Sequence, residues 1–242
     1  MRLRCTFECD KLPIAYRMMF VSFIKEALKK SSEEYFNNLY NYKNKSNKKT
    51  KNFCFAVYLN DFRRENDILN INGNVELNIS SPDEEFIVNL YNGMLKIKEV
   101  EYKKIKILKK KILLVKEKAI NEDKVAFKTL SPIYIKNKNN DSVSPQDDSY
   151  EEYLNYIVNL ALKNYRGYGL SRRIKFSPLK MNKVVVKEKI KAFTEQTGKE
   201  YMYINAYKGT FILEGHKKDL EDIYRLGVGF RRNQGFGMVE VI

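Results

Sequence analysis

Apolar and polar residues alternate at the start of the chain. Leu3, Cys5, Phe7 and Cys9 are separated by polar partners, the two-residue period of a half-buried strand. Leu12-Pro13-Ile14 then leads into a helical spacing of Ile14, Met18, Phe20, Val21, Phe23, Ile24, Ala27 and Leu28. Ser31-Ser32-Glu33-Glu34 has the chemistry of a helix cap and predicts a short second helix through Leu39. Strands are predicted over 53–59 and 74–79. Between Ile79 and Phe86, Ser81-Pro82-Asp83-Glu84-Glu85 marks another helix start. From Lys96 to Lys118, lysines mix with Ile, Leu and Val in strand-like alternation. The order is β-α-β-β-α-β, the ferredoxin-like arrangement.

The second half repeats this order without a visible sequence repeat. A strand is predicted over 125–135, an amphipathic helix over 150–165, and strands over 173–176, 183–187, 201–207 and 209–214. A helix over 216–225, a glycine-rich loop over 227–237 and a closing strand over 237–242 complete it. The expected fold class is therefore α+β: two tandem ferredoxin-like, RRM-like units over 1–122 and 123–242, the second carrying the loop.

Charge changes the picture from fold to partner. The 242 residues hold 45 Lys and Arg against 30 Asp and Glu, a formal net charge of +15. Such an excess suits a polyanion, either a nucleic acid or an anionic membrane surface. No run approaches the roughly 18 uncharged apolar residues of a spanning helix, and the first residues lack a signal-peptide pattern. Cys5, Cys9 and Cys54 have no metal-type spacing and read as small buried residues in a reducing cytoplasm. With His216 as the one histidine, a structural zinc site and a Ser-His-Asp triad are both poorly supported, and no metal or cofactor is expected.

Gly227, Gly229, Gly235 and Gly237 enclose Arg231 and Arg232. Glycines permit positive φ and close backbone approach, and successive free amides form a nest for phosphate oxygens. The loop thus predicts backbone and arginine contacts to RNA. A plainer reading is a long connection rich in turn residues. A Rossmann fingerprint fails because Arg232 holds the place of the third glycine, and a P-loop fails because Met238 follows Gly237. Residues 43–51 carry five lysines and no acid, a loop in which Lys43 and Lys45 are further candidates for RNA contact.

Three features carry a resemblance: Gly-x-Gly-x5-Gly-Phe-Gly near the C-terminus, Lys128-Thr129-Leu130-Ser131-Pro132-Ile133 in mid-chain, and Leu12-Pro13-Ile14. The chain resembles the repeat-processing endoribonucleases of CRISPR systems, a branch of the repeat-associated mysterious proteins. The resemblance implies cleavage of a precursor transcript within each repeat by attack of a 2′-hydroxyl, without metal, leaving a 2′,3′-cyclic phosphate. The implied partner is CRISPR repeat RNA. Homodimerisation, and retention of the product in a CRISPR effector complex, stay open.

The family commonly uses a histidine, a tyrosine and a lysine. Here Tyr40 occupies the histidine slot, Lys25 the tyrosine slot, and Lys51 follows as the lysine, so these three are the expected catalytic residues. A tyrosine with a pKa near ~10 is a poor base at neutral pH unless neighbouring lysines depress it. An inactive repeat-RNA-binding protein of the same fold is the alternative, as is a general RNA-binding protein.

Overall fold

The computed structural model describes every residue except 43, 44, 48 and 103, with residues 42, 45 and 46 described by backbone alone. In β1 (Arg2–Glu8), Leu3, Cys5 and Phe7 are buried while Glu8 is exposed, the face alternation expected of a strand. After β2 (Lys11–Pro13) come α1 (Arg17–Ser31) and α2 (Glu33–Tyr40). The Ser32 hydroxyl accepts the Tyr35 amide at 3.1 Å and so caps α2. The chain turns through β3 (Asn41–Tyr42) and β4 (Lys45–Ser46) into β5 (Cys54–Leu59). Next are β6 (Phe62–Glu65), β7 (Ile68–Ile71) and β8 (Val75–Ser80). Then α3 (Glu84–Leu95), capped by the Asp83 carboxylate on the Phe86 amide at 3.0 Å, precedes β9 (Glu99–Tyr102) and β10 (Ile105–Val115).

The first sheet runs β5-β8-β1-β10-β9, with antiparallel neighbours throughout. Without the extra edge strand β9, this is the ferredoxin-like order. Its core joins Phe7 and Leu77 of the sheet to Phe20 and Phe23 of α1 and Phe86 and Leu90 of α3. The second half has β11 (Lys124–Thr129), α4 (Tyr150–Arg166), β12 (Lys175–Glu188), α5 (Lys191–Thr197), β13 (Met202–Glu214), α6 (Lys217–Leu226) and β14 (Val239–Val241). Its sheet order, β12-β13-β11-β14, is the same arrangement again. The fold is thus α+β with two tandem ferredoxin-like units.

Four local expectations are corrected. Leu12-Pro13 belongs to β2, which pairs with β7, and α1 begins only at Arg17. The small β2-β7-β6 sheet escaped the pattern because all four residues of β6 are exposed and β7 has only four. The predicted strand over 125–135 stops at Thr129, because the Leu130 and Ser131 amides turn to the Met238 carbonyl. The four short strands of the second half are two long ones, β12 and β13, joined through α5 and slipping register between Pro178 and Lys180.

Buried groups tie the halves together. The Arg2 guanidinium lies 3.8 Å from the centre of the Tyr224 ring and donates to Tyr224 O, Val239 O and the Glu240 carboxylate. Cys54 and Ala56 of β5 form a small apolar cluster with Met238, beside Leu130. All three cysteines are buried and free, as their spacing suggested.

Candidate functional site

Helix α1 buries Met19, Phe20, Phe23, Ile24, Ala27 and Leu28, which leaves Lys25 on its exposed side. Tyr40 ends α2, half-buried, its ring tilted against Phe36 with centroids 5.1 Å apart. The Lys25 amine lies 4.9 Å from the centre of the Tyr40 ring, and the Lys51 amine 5.3 Å. Lys51 is only 5% exposed, and its amine donates to Asn47 O at 3.1 Å. Three residues chosen from separate parts of the sequence therefore meet at one aromatic ring.

Their electrostatics differ from the sequence expectation. Burial pushes the Tyr40 phenol above its ordinary value, and the adjacent lysines do not reverse this. Tyr40 therefore keeps its phenolic proton at neutral pH. Burial, with the Lys25 and Lys49 charges adding to it, holds the Lys51 amine below its ordinary value of 10.5. For Tyr40 desolvation outweighs the neighbouring cations, which would favour a phenolate, whereas for Lys51 desolvation and the cations act in the same direction.

The glycine loop faces inward. The amides of Gly227, Gly235 and Gly237 donate to Ile223 O, Arg232 O and Pro132 O, so these three are not the free phosphate nest predicted from the pattern. A Cβ at Gly237 would lie 1.9 Å from Val228 O, and one at Gly235 would lie 2.9 Å from Phe55 of β5. At Gly229 it would meet Tyr134 O at 2.7 Å, and at Gly227 the Cys54 side chain at 2.8 Å. These glycines exist for close protein contact. The Thr-Leu-Ser-Pro run clamps the end of the loop: Pro132 O accepts the Gly237 amide at 2.8 Å and Ser131 Oγ the Met238 amide at 2.9 Å, while Thr129 Oγ1 accepts the Gly209 amide of β13 at 3.0 Å.

The two arginines part company. Arg232 is 2% exposed and donates to Leu226 O at 2.9 Å; burial lowers its pKa to about 10. Its expected RNA contact is corrected to an internal role. Arg231, with φ of 56°, is half-exposed and donates to Gln234 Oε1 at 2.8 Å. Lys43 lies outside the described residues, and Lys45 is described only as backbone of β4.

A basic cleft between the halves was not anticipated. Arg17, at the start of α1, donates to Gly235 O and to the Glu188 carboxylate, each at 3.3 Å. Lys208 of β13 lines the same recess and has no side-chain partner among the described residues. Although it is exposed as a residue, desolvation around its amine, with Arg17 next, lowers its pKa. The recess widens into a cavity of about 260 Å³ reaching Arg64, Phe62 and Lys187. None of these residues sits in a motif. Arg17 and Lys208 become neighbours only through the packing of one half on the other.

Residues 115–241 match the family model described as CRISPR associated protein Cas6, C-terminal. The chain belongs to the Cas6 family. No curated protein matches it in sequence. Among solved structures, it is similar to one described as a Cas6-related gene from Pyrococcus furiosus, with TM-score 0.82, 20% identity and coverage of 100% of this chain and 98% of the other. A RAMP protein described as binding different RNA substrates matches with TM-score 0.79, 22% identity and coverage of 100% and 99%. A CRISPR associated protein Cas6 matches with TM-score 0.74, 23% identity and coverage of 100% and 99%. At these identities the likenesses establish a shared fold.

The Cas6 family match contains the glycine loop and its Ser131 clamp but not Lys25, Tyr40 or Lys51. The chemistry of this Cas6-family chain must therefore be argued from its own first half. Along α1, the eight steps from Arg17 to Lys25 span about 12 Å at the helical rise. One helix thus connects the basic cleft to the tyrosine-lysine cluster.

Proposed function

We propose that this Cas6-family protein binds CRISPR repeat RNA and cuts the precursor transcript within each repeat. The observation that carries this reading is the convergence of Lys25 and Lys51 on Tyr40. Arg17, Lys208 and Arg231 provide cationic contacts for the strand in the cleft and beside the loop. The similarity to a protein described as binding different RNA substrates supports this assignment.

In the proposed step, the 2′-oxygen bonds to phosphorus as the bond from phosphorus to the 5′-oxygen breaks. Lys51, whose lowered pKa favours the neutral amine, accepts the 2′-hydroxyl proton. Tyr40 donates its phenolic proton to the departing 5′-oxygen. Lys25 remains an ammonium and offsets charge on the phosphorane oxygens. The products are a 2′,3′-cyclic phosphate and a 5′-hydroxyl, and proton exchange between Lys51, water and Tyr40 restores the site. The step needs no metal.

The test is incubation of the full chain with a synthetic repeat RNA in EDTA, followed by mapping of both product ends. A single cut ending in a cyclic phosphate, abolished by a 2′-deoxy sugar at that position, is expected. Tight binding without a cut would select the second reading, an RNA-binding protein of the same fold, which the raised phenol pKa of Tyr40 favours.

A further inference from the structure

A cavity of about 350 Å³ lies on the second unit, apart from both the tyrosine-lysine cluster and the interdomain cleft. Phe230 enters it from the glycine loop, Tyr153 and Tyr156 from α4, and Lys136 and Lys138 from the segment after β11, with Glu152 also lining it. The Lys136 amine is held by the Asn140 side chain and lies 5.2 Å from the centre of the Phe230 ring. Tyr156 is 62% exposed, a large amount of ring surface left in water for a residue facing a cavity.

The geometry points to a seat for one unpaired nucleobase of the bound RNA, and this inference rests on the RNA-binding reading above. Flat aromatic surface supplies stacking for any base, and two lysines against one carboxylate favour a ligand carrying phosphate. Glu152 accepts a hydrogen bond from an exocyclic amine, so adenine is favoured over uracil. The Phe230 amide donates to Tyr134 O at 2.8 Å, which fixes this wall of the cavity to the chain segment that also clamps the loop.

The test is fluorescence anisotropy of the full chain with labelled single-stranded oligoadenylate and oligouridylate. Tyr156→Ala is expected to weaken oligoadenylate binding roughly tenfold, as loss of one stacked base does, and Tyr156→Phe to restore it. Lys138→Ala is expected to weaken both probes by a smaller factor. Photo-crosslinking with azidoadenosine-substituted RNA is expected to label Tyr156 or Phe230. Wild-type binding of neither probe would overturn the RNA reading itself. If the wild type binds and Lys208→Ala weakens binding, but Tyr156→Ala matches the wild type and no crosslink forms here, the nucleobase seat alone is wrong.

Discussion

The amine of Lys51 lies 5.3 Å from the centre of the Tyr40 ring, in a residue that is 5% exposed. A cation removed from water beside a neutral phenol is an unfavourable arrangement for stability, and Lys25 adds a second positive charge. The lowered pKa suits the Lys51 amine to accept a proton, whereas the raised phenol pKa makes Tyr40 a weaker acid.

Tyr40→Phe is expected to lower the cleavage rate by about 100-fold or more, the low end for loss of a general acid. RNA affinity and folding should change little, because the ring and its contact with Phe36 remain. Single-turnover kinetics at saturating RNA, with affinity measured separately, check this. Tyr40→His is expected to raise the rate, since an imidazole titrates near neutrality. A rate unchanged in both variants would remove Tyr40 from the chemistry.

The pH dependence follows from Lys51. Its folded pKa lies below 10.5, so between that lowered value and 10.5 the unfolded chain binds more protons than the folded one. Stability from this group therefore rises with pH through that window, and below it the cost of the buried cation is present in full. Lys51→Met is expected to remove this slope and to leave the protein as stable or more stable at neutral pH. The wild-type cleavage rate is expected to rise with pH as Lys51 loses its proton, and Lys51→Met is expected to abolish that rise. Denaturant titrations and rate profiles across pH test the two halves of this prediction separately.

Gly237→Ala is expected to destabilise the protein by roughly 3 kcal/mol, through left-handed backbone and overpacking together. The φ there is 70°, and the new methyl would lie 1.9 Å from Val228 O. Urea denaturation measures the loss. Any weakening of RNA binding should track unfolding, because the Gly237 amide is already donated to Pro132 O.

Arg231 and Arg232 are expected to separate cleanly. Arg231→Ala should weaken RNA binding and reduce the slope of log affinity against log salt by roughly 0.7, the share of one phosphate contact on a single strand. Arg232→Met should leave that slope intact and act on stability alone, since its guanidinium is buried against Leu226 O. Affinities measured across a salt series decide between them.

Much of the architecture was legible because its signals are local. The alternation of Leu3, Cys5 and Phe7, the caps at Ser32 and Asp83, and the apolar stripe of α4 each depend on a few neighbouring residues. Together they specify the repeated element order. β6 was invisible for the same reason: an entirely exposed strand has no periodicity to read.

Sequence alone was enough for most of the elements and their order, for which faces are apolar, and for a basic chain that carries a glycine-arginine loop. The tertiary structure alone decided what covers each face. It turned the loop inward, buried Arg232 while leaving Arg231 accessible, and brought Lys25, Lys51 and Tyr40 to one ring. The physical reason is that glycine allows close approach equally to a phosphate or to another backbone. Likewise, the acidity of a phenol or an amine depends on how much water remote segments exclude, and no local spacing records that.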